Sequence, residues 1–304
     1  MAYATGSCTN LADVRNAIVS VCTANGWTWD SGNQVLSKGT LFLNLTYDAS
    51  NVILKARTAL LTGDTPYPLK LGVISNISSA PTYGAEPNLT FPLTYHIFVY
   101  VDEVYCVFNF NTVFYQWCMF GKSTVTGLDA AGTGMYVAAS GGNAMTQGYI
   151  GSNGPIMLWS AGGPNNWWGQ LVPAPFWCGS MDNGGSYQGQ TNYYVHSNLD
   201  GHGWHTTHNG TTASGQSSGI AHLTALLDVT PSAFNTEMVL LPNRCYKGRA
   251  SNKVSLVADL EYSRICRIDT VDPGQIITLG ADQWMVFPFV RKSGAAGRNA
   301  GSMV

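Results

Sequence analysis

Five of the chain's histidines fall close together: His196, His202, His205, His208 and His222, with Asp200 among them. Imidazole nitrogens are common ligands of divalent ions, so His202, His205 and His208 form a candidate metal site. Their i, i+3, i+6 spacing in a Gly/Thr-rich loop matches no defined zinc pattern, and no H-E-x-x-H occurs. The plainer reading is a set of histidines on a surface loop. Phe120-Gly121-Lys122-Ser123 carries the last letters of a phosphate-binding loop. The glycine that such a loop needs earlier is replaced by Gln116, so the backbone N–H groups cannot curl around a phosphate. A strand-end turn is expected there instead.

Hydrolytic chemistry finds no more support. No G-x-S-x-G elbow is present. Glycoside hydrolysis needs two positioned acids. Asp182, Asp200, Asp228 and Glu237 are available, but nothing in their spacing nominates a pair. Neither an enzyme nor a cofactor is expected. A different group of residues is more suggestive: Trp159, Trp167, Trp168, Trp177, Tyr187, Tyr193, Tyr194 and Trp204. Aromatic side chains are large, stiff anchors enriched where proteins meet partners. They fit a subunit interface, a loop core pinned by rings, or a surface on which sugars stack.

The elements that must position these residues are mainly β. Gly 34 and Pro 13 imply many turns. Apolar residues make up 45% of the 304, enough for a large core, and charged residues only 11%. A surface so poor in charge is easily desolvated and suits burial against partners. A net charge of −2 argues against nucleic acid as a partner, because phosphate contacts need a basic stripe. No apolar run approaches the roughly 20 residues that span a bilayer, so no membrane insertion is expected. The N-terminus lacks the basic and apolar regions of a signal peptide. Cys8, Cys22, Cys106, Cys118, Cys178, Cys245 and Cys266 are scattered, without a C-x-x-C pair, and are expected as reduced, buried thiols.

Residues 10–25 predict a helix capped by Asn10, with Leu11, Val14, Ile18, Val21 and Cys22 on one face and Asn25-Gly26 as the stop. Strands are expected at 40–46, 51–57 and 69–74. Residues 94–121 form an aromatic meander of three strands, with turns at 101–104 and 109–112. Its apolar faces suit packing or docking. Residues 126–220 lose this periodicity and are expected as a loop-rich insertion that contacts other subunits. Strands or short turns return at 222–231, 237–242, 253–260, 263–269, 274–280 and 283–290. The basic tail after Val290 is expected to be flexible or wrapped on a neighbour. The expected fold is therefore α+β, mainly β: an α+β module over 1–125 with a helix on an antiparallel aromatic meander, a Gly- and aromatic-rich insertion over 126–220, and a C-terminal β segment over 221–304.

The opening MAYATGSCTNLADVRNAI…CTANGW, the meander YHIFVYVDEVYCVFNFNTVFYQWCMFG and the closing GQIITLGADQWMVFPFVRKS resemble a family of virion structural proteins of tailed bacteriophages. The resemblance covers the two ends well and the middle poorly. It implies a subunit of the tail, baseplate, tail tip or neck, assembled in the host cytoplasm and present in symmetric copies against other virion proteins. It transfers no catalytic residue. A host-receptor or glycan-binding adhesin module is one alternative, and a polysaccharide- or cell-wall-degrading hydrolase is another.

Overall fold

The computed structural model describes residues 1–65, 68–72, 89–124, 132–140, 173–174, 177–178, 193–197, 203–205, 220–222, 239–249, 253–268, 270–288 and 300–303. Among them the fold is α+β and mainly β, with one helix. The helix α1 (Leu11–Thr23) starts where Asn10 Oδ1 accepts from Asp13 N at 2.9 Å. The Asp13 carboxylate reaches back to Thr9 N (2.9 Å) and Thr9 Oγ1 (2.6 Å). Two N-terminal donors are thus met reciprocally, and those bonds hold Asp13 below the usual carboxylate range. Val14, Ile18 and Cys22 form the buried stripe that helical spacing predicts. Gly26, at φ +86°, turns the chain away, and Trp27 follows into the core.

A five-stranded antiparallel meander comes next: β2 (Thr28–Asp30), β3 (Val35–Lys38), β4 (Leu41–Tyr47), β5 (Asn51–Arg57) and β6 (Leu69–Gly72). In β4 the side chains alternate, with Leu41, Leu43 and Leu45 buried. In β5 Val52, Leu54 and Ala56 answer them. Asp48 Oδ1 closes the turn between these strands by accepting from Ser50 N and Asn51 N, each at 2.7 Å.

The aromatic meander is the centre of a second sheet. β7 (Leu93–Val99), β8 (Glu103–Phe110) and β9 (Phe114–Lys122) pair in sequence. Its turns are 100–102 and 111–113, so Glu103 belongs to a strand rather than to the expected turn. β1 (Ala2–Cys8), which the sequence pattern did not single out, pairs along β7 at one edge. On the other side β10 (Met135–Ala139), β13 (Tyr193–His196) and β14 (Trp204–His205) extend the sheet to seven strands. The 125/126 boundary therefore does not coincide with a sheet edge. Parts of the expected insertion complete the N-terminal sheet. A two-stranded ribbon, β11 (Pro173–Ala174) with β12 (Trp177–Cys178), also lies in this stretch.

A six-stranded sheet has the order β15 (Ile220–His222), β16 (Leu241–Arg249), β17 (Lys253–Arg267), β20 (Ala300–Met303), β19 (Asp282–Pro288), β18 (Ile276–Leu279). β17 fuses two expected strands into one of 15 residues. In the tail, expected to be free or wrapped on a neighbour, residues 300–303 instead form β20, paired with both β17 and β19.

The seven-stranded sheet is the middle layer. Val104, Cys106, Phe108, Phe110, Cys118, Phe120, Met135 and Val137 pack toward α1 and the five-stranded sheet. Tyr105, Val107, Tyr115, Trp117, Met119 and Tyr136 pack toward Ala258, Leu260 and Phe287 of the six-stranded sheet. A sheet covered on both faces has no need of polar alternation, which explains the nearly continuous apolar run. The faces of the meander thus pack within the chain's own fold.

Candidate functional site

The residues with chemistry at their command sort into those the fold has used and those outside the described residues. His196 ends β13 and is buried. Its Nδ1 accepts from Thr133 N at 3.1 Å and lies 3.1 Å from Thr133 Oγ1. Its ring meets that of Trp204 edge-on at 5.0 Å. Burial lowers its pKa, so it is held neutral with Nδ1 as the acceptor. It is a core histidine. His205 lies in β14 opposite Val195, and His222 in β15 opposite Cys245. His202 and His208 lie outside the described residues, as do Asp182, Asp200, Asp228 and Glu237. Among the described residues no group of three or more His, Cys, Asp or Glu is placed to hold a metal.

Gly121-Lys122-Ser123 is the end of a strand. Lys122 N donates to Asp102 O at 2.8 Å, and Ser123 N to Gly134 O at 2.9 Å. These N–H groups belong to backbone pairings and cannot face a phosphate. Gly121 sits at φ +150°, and a Cβ there would lie 2.2 Å from Asp102 O. Its place is set by strand packing.

Among the aromatic candidates, Tyr194 and Trp204 are buried in the chain's own core, their rings edge to face at 6.4 Å. Trp204 Nε1 donates to Gly63 O at 3.1 Å, tying β14 to the loop after β5. These two pack inward, as the loop-core alternative has it. Tyr193 and Trp177 lie in β13 and β12. Trp159, Trp167, Trp168 and Tyr187 lie outside the described residues. Cys8, Cys22, Cys106 and Cys118 are free, buried thiols, and Cys266 is buried as well. Burial pushes the thiols of Cys8, Cys22, Cys106 and Cys266 up, which makes them unreactive. No described helix is long and apolar enough to cross a membrane.

Among the described residues, three buried polar side chains that sequence reasoning overlooked join the layers. Gln116, on β9, faces the five-stranded sheet. Its Oε1 accepts from Gly72 N at 2.8 Å, and its Nε2 donates to Gly72 O at 3.0 Å. Gly72 is at φ +132°, with Ser50 O in the space a Cβ would take. Ser123 Oγ accepts from Asp259 N at 2.9 Å and donates to Asp259 O at 3.3 Å, joining β9 to β17.

Glu103 is the third, only 2% exposed at the start of β8. Tyr105 O–H donates to its Oε2, and Glu261 N of β17 donates to Oε1 at 3.2 Å. Burial raises its pKa to about 7, against the lowering effect of the Tyr105 hydroxyl and of the backbone N–H groups of Glu261 and Tyr262. The available signal was that Asp102 and Glu103 are the only acidic residues in the meander, and Glu103 shares the parity of Tyr105 and Val107.

Compared with known proteins, the chain matches no family model and no curated sequence.

Among the described residues, the outer edge of the six-stranded sheet exposes apolar side chains. β18 reads Ile-Ile-Thr-Leu, without charge or proline. Ile276 is 54% exposed and Leu279 is 44% exposed. Folded monomers ordinarily blunt such edges with lysine, proline or bulges.

Proposed function

We propose that this protein is a structural subunit of a tailed-phage virion, at the tail, baseplate, tail tip or neck, working by assembly with copies of itself and with neighbouring virion proteins. The observation that carries the reading is β18. An uncharged edge strand with exposed Ile276 and Leu279 is a template for pairing with another chain. The low charge content supports it, since few ions need be stripped of water when the surface is covered. Function then resides in buried area rather than in turnover, and permanent contacts of this type bury above roughly 2,000 Å².

The test has two arms. Mass measurement of the full chain in solution, by light scattering or native mass spectrometry, is expected to give an oligomer. Ile276→Lys with Leu279→Lys is expected to shift it toward monomer without changing the circular dichroism spectrum. The chain is also expected as a stoichiometric band in purified particles. A monomeric wild type that is missing from particles overturns the proposal.

A further inference from the structure

We propose that Glu103 is a pH-operated clamp between the middle sheet and the β17 layer: protonated, it holds the layers together, and ionised, it loosens the outer sheet. The inference goes beyond the assembly reading and does not depend on it.

The geometry is that of a joint. Glu103 stands on β8 of the middle sheet, while the N–H it accepts from belongs to Glu261 on β17. Beside it, Tyr100 and Tyr262 stack across the same boundary, with ring centroids 4.0 Å apart and planes 7° from parallel. Next to it, Ser123 Oγ accepts from Asp259 N and donates to Asp259 O, and Thr124 N donates to Asp259 O at 3.1 Å. The carboxylate is therefore one of a few polar links in an otherwise apolar contact.

The groups that surround it cannot neutralise a negative charge. From its own strand and turn come Tyr105 and Asp102, from the turn Tyr100, from β10 Tyr136, and from β17 Glu261 and Tyr262. Two of these, Asp102 and Glu261, are acidic themselves. Among these described groups there is no cation. Two cations near the joint are engaged with backbone carbonyls: Lys38 donates to Val101 O, and Arg264 Nη1, on β17, donates to Glu261 O and Ser263 O, each at 2.8 Å. Burial makes the ionised form costly, and one hydroxyl and two backbone N–H donors only partly offset that cost. The raised pKa of Glu103, about 7, agrees with this geometry.

The direction follows from proton binding. Between the ordinary value of 4.5 and about 7, the folded joint keeps a proton that the opened chain has released. The clamp is thus complete below about pH 4.5, weakens as pH rises through about 7, and loses nothing further above it. His96 and His196, which burial holds neutral, act oppositely by destabilising the fold as pH falls below 6.5. A comparison of variants removes their contribution.

Amide hydrogen exchange of the full chain reads the joint directly. In the wild type, relative to Glu103→Gln, the protection of the Asp259 and Glu261 amides is expected to fall roughly tenfold or more between pH 5.5 and pH 8. The amides between β8 and β9 are expected to lose less. Glu103→Gln keeps a neutral isostere in place, so its protection should not follow this titration. Tyr105→Phe removes a donor that favours the charged form, and should move the midpoint to higher pH. An unchanged midpoint in Tyr105→Phe overturns the proposal. So does a Glu103→Gln variant that titrates like the wild type or does not fold at any pH.

Discussion

The two faces of the middle sheet are each closed by a buried polar side chain, and the two closures obey different chemistry. Toward the five-stranded sheet, Gln116 offers one acceptor and one donor to the two backbone groups of Gly72. Both partners of that contact are neutral, so pH does not enter. Toward the six-stranded sheet, Glu103 accepts from Glu261 N in either charge state, and its ionisation is opposed by burial. The first joint is fixed. The second answers to proton concentration. The difference shows that burial by itself does not decide whether a polar contact is rigid. What decides is whether the buried group can change its charge.

The comparison can be broken first at the apolar level. Phe120, on the Gln116 side, meets Trp27 edge to face at 5.4 Å. Phe120→Ala is expected to cost about 3–5 kcal/mol in denaturant unfolding, and Trp117→Ala on the opposite face a similar amount. A small loss at Trp117 would mean that the six-stranded sheet is only loosely applied. Next comes Glu103→Gln. At pH 8 it should raise stability by on the order of 3 kcal/mol, and below pH 4.5 by little, because the wild-type carboxyl is then already neutral. Denaturant midpoints across pH read this difference.

Gln116 sharpens the contrast. Gln116→Ala strands the N–H and C=O of Gly72 and should cost about 1–3 kcal/mol, equally at all pH values. Gln116→Glu would make the fixed joint ionisable, and its stability should then fall as pH rises, as at Glu103. A flat pH profile for Gln116→Glu would show that this face admits water. The smallest effect lies outside both joints. Asn10→Ala removes the cap of α1 and should cost about 1 kcal/mol, visible as a lower thermal midpoint.

Elements with a period were legible in the sequence. The α1 cap, the stripe Val14, Ile18, Cys22, the alternating β4 and β5, and the meander all follow from local chemistry. Elements without a period were not. Met135–Ala139 is buried at every position, so its sequence carries no alternation, and β10 was taken for loop. The place of Tyr194 and Trp204 could not be read from residue type, because ring-rich loops look alike whether they face a core or a neighbour. Glu103 was assigned to a turn because Asp102 and Glu103 look like turn residues, and one position of register moved it to a strand and into the interior.

The sequence by itself determined the class of the fold, the helix and its ends, and the charge-poor character of the surface, because these depend on neighbours along the chain. The tertiary structure alone decided that the meander would be a middle layer, that residues 300–303 would lie between β17 and β19, and that Glu103 would be buried against β17. The physical reason is that a residue's solvation, and with it its charge, is set by what covers it, and the covering strands come from more than a hundred residues away.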